Sequence, residues 1–269
     1  MTSENKQRVL TEEDLVSTYD PGIYDDPIEA VKQYRKVREY HEQNPDDGST
    51  IVSRVFDLPR GRVHGWLEDG RPDQVKAIEF GEQYGWFDGT WEDAIGIAFN
   101  VLVAAIFSGG SIGKRDLVPR FTFGKGFENE ISTALEHVAG GYSIAQDVEG
   151  RETYEVVPKD GQAPVARALI ALGAPIGPKN SDAEMSLPSY LYQAPKDIKR
   201  SFLRIYIGLR YVNPPDSDYL IVREDRPEKF LAELTEFLNQ QVSGEVYRKS
   251  SIVIPYDVAS ELNIEVDYN

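Results

Sequence analysis

Cysteine is absent from the 269 residues, which excludes a disulfide framework, a thiol nucleophile and any Cys-ligated zinc or iron–sulfur site. Histidine is scarce: His41, His64 and His137 are scattered, with no His-Glu-x-x-His spacing, so no metal site is expected from them. Long apolar runs are also missing. The most apolar stretch, Ile95 to Phe107, is closed by Gly109-Gly110 and is too short to span a bilayer. Met1 to Leu10 is polar and charged, without the apolar core or cleavage signal of a secretory segment, so the expected location is cytoplasmic, with no membrane association.

Basic residues are outnumbered, 29 against 45 acids, for a formal net charge of −16. At face value that opposes a polyanionic partner. The acid is spread thinly in pairs rather than gathered in a tail, the pattern of a surface kept soluble in concentrated salt, and the expected source is halophilic. Two stretches run against the average. Between Phe99 and Gly126 stand Lys114, Arg115, Arg120 and Lys125 against Asp116; between Leu187 and Tyr211 stand Lys196, Lys199, Arg200, Arg204 and Arg210 against Asp197. Such islands are either chance composition in half-buried segments or a nucleic-acid face.

Along the chain, Met1 to Asp26 is acidic with little periodicity and is expected to be loosely ordered. From Pro27 apolar residues recur at helical spacing (Ala30, Tyr34, Val37) until Asn44-Pro45-Asp46-Asp47-Gly48 stops the helix. Ser49 to Leu67 then predicts two short amphipathic helices joined by a tight turn, with Asp57 at a position that tolerates a left-handed backbone, Pro59 near the start of the second helix, and Val63, Trp66 and Leu67 facing inward. This segment resembles a helix-turn-helix, which would leave Arg60, Arg62 and His64 facing outward toward bases and phosphates. Gly61 and Gly65 each weaken a helix by roughly 1 kcal/mol, and a plain helical hairpin is the competing reading. One more helix from about Val75 to Tyr84, closed by Gly85-Trp86-Phe87, completes a helical domain over residues 27–90.

Asn100 to Ile112 predicts an apolar helix with small residues at Ala104, Ala105 and Ser108, and Asp197 to Tyr211 a second, with Gly208 near its end. Between them lie Leu172, Gly173, Lys179 and Ser181, then Leu187-Pro188, Ala194-Pro195, and Lys199, Arg200, Phe202, Leu203 and Arg204. In that order these residues resemble a single-chain LAGLIDADG homing-endonuclease-like domain with two motif helices. The resemblance covers about Trp91 to the C-terminus. It implies an α+β fold of two αββαββα halves, 91–186 and 187–269, whose motif helices meet at a pseudo-two-fold axis and whose saddle-shaped sheets lie along duplex DNA. Strands are expected at 120–123, 141–144, 154–157, 219–222 and 251–255, and helices near 130–138 and 228–238.

In active members of that family the last acid of each motif helix binds a divalent metal, a hard cation that prefers oxygen ligands. Here those positions carry Gly109 and Arg210, neither of which ligates metal, and Asp116, Asp216 and Asp218 stand six or more residues away. The expected protein therefore binds double-stranded DNA without cutting it, needs no cofactor or metal, takes no small-molecule ligand and is a monomer or weak oligomer. Its domain logic is similar to that of WhiA-type transcription regulators, with the modules in reverse order. The candidate DNA contacts are Arg60, Arg62 and His64 from the helical domain, Lys114, Arg115, Arg120 and Lys125 from the first half, and Lys199, Arg200 and Arg210 from the second. An active nuclease using displaced acids and a protein-interaction scaffold are the rival readings. Ser108-Gly-Gly-Ser-Ile-Gly-Lys-Arg is a P-loop decoy: it lacks the first glycine and has Arg115 where a metal-binding hydroxyl belongs.

Overall fold

The computed structural model describes residues 7–146 and 153–265. Five helices come first: α1 Glu12–Ser17, α2 Pro27–Gln43, α3 Ser49–Phe56, α4 Arg60–Leu67 and α5 Asp73–Gln83. Residues 7–26 correct the expectation of a loosely ordered acidic segment, whose first six residues lie outside the described ones. Thr11 and Asp14 form a reciprocal capping box on α1, and Leu10, Leu15 and Val16 are buried in the core. Glu12, Glu13 and Asp14 fill the first turn, where negative charge suits the positive end of the helix. These three acids are therefore the solvent side of a short anchored helix. Further on, Asp26 caps α2 by accepting from the Ile28 amide at 3.0 Å, with Pro27 at the first position.

The rest of the chain repeats one pattern twice. The first copy runs α6 Ala94–Phe107, β1 Ser111–Ile112, β2 Pro119–Phe123, α7 Glu128–Ala139, β3 Tyr142–Gln146, β4 Tyr154–Pro158 and α8 Gln162–Ala171. The second runs α9 Lys196–Gly208, β5 Tyr211–Val212, β6 Tyr219–Val222, α10 Glu228–Asn239, β7 Tyr247–Arg248, β8 Ile252–Pro255 and α11 Tyr256–Glu261. Each copy is αββαββα, and the two antiparallel sheets share one strand order, β1-β2-β4-β3 and β5-β6-β8-β7.

The central helices are displaced from their expected bounds. The first begins at Ala94 and stops at Phe107, so that Gly109 and Gly110 form the exit and Ile112 lies in a strand; the second stops at Gly208 with Tyr211 in β5. A side chain at Gly110 would strike the Arg120 carbonyl oxygen at 2.6 Å, which explains the glycine.

Along the α6–α9 seam two fully buried polar residues tie the copies together. Asn100 Nδ2 donates to the Ile198 carbonyl at 3.1 Å and Ser108 Oγ to the Tyr206 carbonyl at 3.0 Å, while the Tyr190 hydroxyl donates to Asn100 Oδ1 at 2.9 Å. Phe107 packs between the rings of Phe202 and Phe230, at 5.7 and 5.8 Å.

The N-terminal helices join the first copy on its helical side. Arg167 of α8 lies over the Tyr19 ring at 3.6 Å and donates to the Thr18 carbonyl, and Trp86 Nε1 donates to the Val138 carbonyl of α7 at 3.1 Å with its ring against Phe99. No helix among the described residues is long and apolar enough to cross a membrane.

Candidate functional site at the helix junction

The last carbonyls of a helix lack intrahelical partners and carry partial negative charge, so cations gather there. At the C-terminal end of α6 this is pronounced. Lys179, from the segment between the copies, points its ammonium at the carbonyls of Ile106, Phe107, Ser108 and Gly110, the last two at 3.1 and 2.6 Å. Arg226, from the β6–α10 turn, donates to the Ser108 carbonyl at 3.0 Å, the Phe107 carbonyl at 3.4 Å and the Lys179 carbonyl at 3.0 Å. On the other side Lys125, from the β2–α7 turn, donates to the Tyr211 carbonyl at 3.0 Å just after α9 and lies over the Tyr211 ring at 5.3 Å. The second copy thus sends Arg226 onto the end of α6, and the first sends Lys125 onto the strand that follows α9.

One acid sits among them. The Glu224 side chain is 2% exposed, with Oε1 at 2.5 Å from Arg210 Nε and 3.5 Å from Arg226 Nη2, and the Tyr206 hydroxyl donates to its Oε2. The Arg210–Glu224 contact is an ion pair by distance but lacks hydrogen-bond alignment. Burial, then the Glu224 charge, raise the Tyr206 phenol well above its usual range, so it stays a donor. Burial, then Arg226 and Arg210, push the Lys179 ammonium down to about 7, with Glu224 pulling the other way. Burial and then Arg210 also lower Lys125. The junction is therefore four cations around one acid.

This donor set does not fit a divalent ion. Arg210 directly precedes β5 as Gly110 precedes β1, so the repeat matches Arg210 to Gly110 rather than Gly109, and neither glycine offers a ligand. Glu224 is held by two guanidinium groups, and no group of three or more His, Asp or Glu that could hold a metal occurs among the described residues. Sequence reasoning had looked to Asp116, Asp216 and Asp218 and had passed over Glu224 and Arg226. Their only signal is the Arg-Glu-Asp-Arg-Pro run that breaks the chain between β6 and α10.

The sequence-predicted contacts scatter. In the α3–α4 unit Asp57 adopts the left-handed backbone (φ 51°, ψ 46°) expected of the turn. Arg60 is exposed, and His64 is exposed beside Glu68 at 3.4 Å. Arg62 corrects the reading that it points outward: its Nη1 donates to the Tyr24 hydroxyl at 2.8 Å and its guanidinium lies near the Tyr24 and Trp66 rings. A stem that lies along Trp66 is drawn onto the aromatic surface rather than into water.

Lys114 and Arg115 are exposed in the β1–β2 turn. Arg120 lies on the open face of the first sheet but is paired to Asp116 at 2.8 Å. Lys199 and Arg200 are on α9. Lys199 donates to the Tyr192 carbonyl at 3.2 Å, and Arg200 donates through Nε and Nη2 to the Gln241 carbonyl and through Nη1 to that of Glu261, so both fasten loops rather than line a saddle. Arg210 alone of the second-half set reaches the junction.

Strand alternation also defines what the open sheet faces carry. Because Leu220, Val222, Ile252 and Ile254 are buried, the opposite face of the second sheet bears Val212, Tyr219, Ile221, Tyr247 and Val253, with Val212 and Tyr247 about half exposed. The open face of the first sheet bears Arg120, Thr122, Ser143 and Glu155. A continuous basic floor across both sheets, as expected from the sequence, is absent among the described residues; the cations concentrate at the seam and in the β1–β2 turn.

No protein-family profile matches the chain, and no curated protein is similar to it in sequence. Among solved structures, it is similar in outline to the homing endonuclease I-WcaI bound to its DNA recognition sequence, at 12% identity over 71% of this chain and 87% of that one, with a TM-score of 0.43.

Proposed function

We propose that this chain is a sequence-specific double-stranded-DNA-binding protein, a transcription regulator in role, that does not cut its target. The observation that carries the reading is the charge at the junction: the ends of two pseudo-symmetric helices meet among Lys125, Lys179, Arg210 and Arg226, with Glu224 as the acid among them. Phosphodiester hydrolysis by metal ions needs free carboxylates to hold them. Cations at the same place suit binding of a phosphate without activating water. The α3–α4 unit, read as a helix-turn-helix within a domain of residues 27–90, supports sequence readout through exposed Arg60 and His64. The halves 91–186 and 187–269 would supply the pseudo-two-fold grip, with Lys114 and Arg115 free to meet the backbone.

The test has two arms. Genomic fragments should be retarded in gel-shift assays at high potassium salt, with specific footprints. A plasmid bearing the footprinted site should remain uncut with Mg²⁺ or Mn²⁺, and any double-strand break would overturn the non-cleaving reading. A protein-interaction scaffold is the second reading, favoured by the apolar open face of the second sheet, because contiguous exposed apolar surface marks contacts with proteins more often than with phosphates. Absence of any retarded fragment, with a co-purifying protein partner, would select it.

A further inference from the structure

Like charges crowd at the α6–α9 junction beyond what helix capping asks for. Lys179 and Arg226 spend their donors on the carbonyls that end α6, and both are largely withdrawn from water. Arg210 and Lys125 differ from them. The Arg210 side chain is 35% exposed, and its terminal Nη groups make no hydrogen bond among the described residues. Lys125 is exposed, sits on a left-handed backbone (φ 56°) between Gly124 and Gly126, and reaches across from the first copy to the residue next to Arg210. Glu224 cannot neutralise this set: one carboxylate is shared between the guanidinium groups of Arg210 and Arg226, with two lysines beside them. Burial is the larger cause that lowers Lys125 and Lys179, and the charge of Arg210 adds to it in both. A fold that holds cations together against repulsion is relieved by an anion, and a guanidinium with free Nη donors beside an ammonium matches the oxygens of a phosphate.

We infer that Arg210 and Lys125 form a phosphate site at the junction, with Lys179 and Arg226 fixed behind it as a further reserve of positive charge. The ligand is one phosphodiester group of a nucleic-acid backbone, bound across the pseudo-two-fold seam so that each copy contributes one cation. The source of that phosphate rests on the DNA-binding reading above; the anion site itself does not.

Thermal unfolding of the full chain in sodium phosphate and in sodium chloride at matched ionic strength tests the anion site. Phosphate should raise the midpoint above chloride, as a ligand of the native state does. Lys125→Gln, a change at an exposed side chain, should weaken the phosphate effect by about tenfold in apparent affinity, the scale of one charged hydrogen bond. Arg210→Gln should do the same, and if that variant fails to fold, the Lys125→Gln comparison decides alone. Equal midpoints in the two salts would overturn the site, as would an unchanged phosphate response in Lys125→Gln. A second arm identifies the source. With duplex DNA, Lys125→Gln should weaken binding about tenfold and reduce the slope of log affinity against log salt by about one. Phosphate binding without duplex binding would leave a free-phosphate site and overturn the nucleic-acid source, while duplex binding untouched by Lys125→Gln would place the DNA elsewhere on the surface.

Discussion

Arg210 Nε and Glu224 Oε1 lie 2.5 Å apart at the junction of the two copies, the acid buried and the guanidinium reaching to the surface. Glu224 therefore works as an internal counter-ion for two arginines, and its removal leaves charge without compensation in a poorly solvated place. Glu224→Gln should destabilise the fold by on the order of 3 kcal/mol, the cost of breaking a buried ion pair from one side. Urea unfolding measures it. The double variant Arg210→Met with Glu224→Gln should recover part of the loss, and strict additivity of the two single changes would refute the coupling.

Lys179 makes stability depend on alkaline pH. In the unfolded chain a lysine keeps its proton to about pH 10.4, whereas the folded protein releases it near 7. Between those values the unfolded state binds more protons, so stability should rise as pH increases from about 7 toward 10. Lys179→Met should flatten that slope. It should also cost about 1–3 kcal/mol at neutral pH by leaving buried carbonyls at the end of α6 without a donor. A slope unchanged in the variant would assign the dependence to another group.

Asn100 tests the seam. Asn100→Ala removes the hydrogen bond to the Ile198 carbonyl and strands the buried Tyr190 hydroxyl. A loss of about 2 kcal/mol is expected, read as a lower denaturant midpoint with unchanged slope. Slope and midpoint falling together would mean that the two copies unfold separately.

Arg60 and Arg62 should separate binding from folding. Arg62→Ala loses its hydrogen bond to Tyr24 and its contact with Trp66, and should lower stability by about 1 kcal/mol. Arg60→Ala should leave stability unchanged and weaken duplex binding if α4 enters the groove. Binding unaffected by Arg60→Ala and by His64→Ala together would remove α4 from the DNA interface.

The helices and longer strands were legible because burial enforces periodicity. Tyr219–Val222 and Glu228–Asn239 follow from alternation and from the Phe230, Leu234 and Leu238 stripe. The two-residue strands β1, β5 and β7 were not, since two residues carry no alternation to detect. Helix α8 was also missed. Pro164 in its first turn, after Gly161 in a left-handed conformation, imitates a loop locally, and only packing of Val165, Ala166, Ala168 and Leu169 into the core makes the segment a helix. At the candidate site, Arg210 was legible by its place after an apolar helix. Glu224, Arg226 and the capping role of Lys179 were not, because residues 14 to 119 positions apart make the contacts that define them only after α6 and α9 pack side by side.

What the sequence determined alone was the order of most of its longer elements, two apolar helices of similar construction, and the lack of acids where those helices end, because helix periodicity and residue identity are local properties. Tertiary structure decided which charges meet. It withdrew Arg62 and Arg200 into aromatic and carbonyl contacts, left the second sheet with an apolar open face, and brought Lys125, Lys179, Arg210 and Arg226 around Glu224. Coulomb interactions and desolvation depend on distances through space, which the order of residues along the chain does not state.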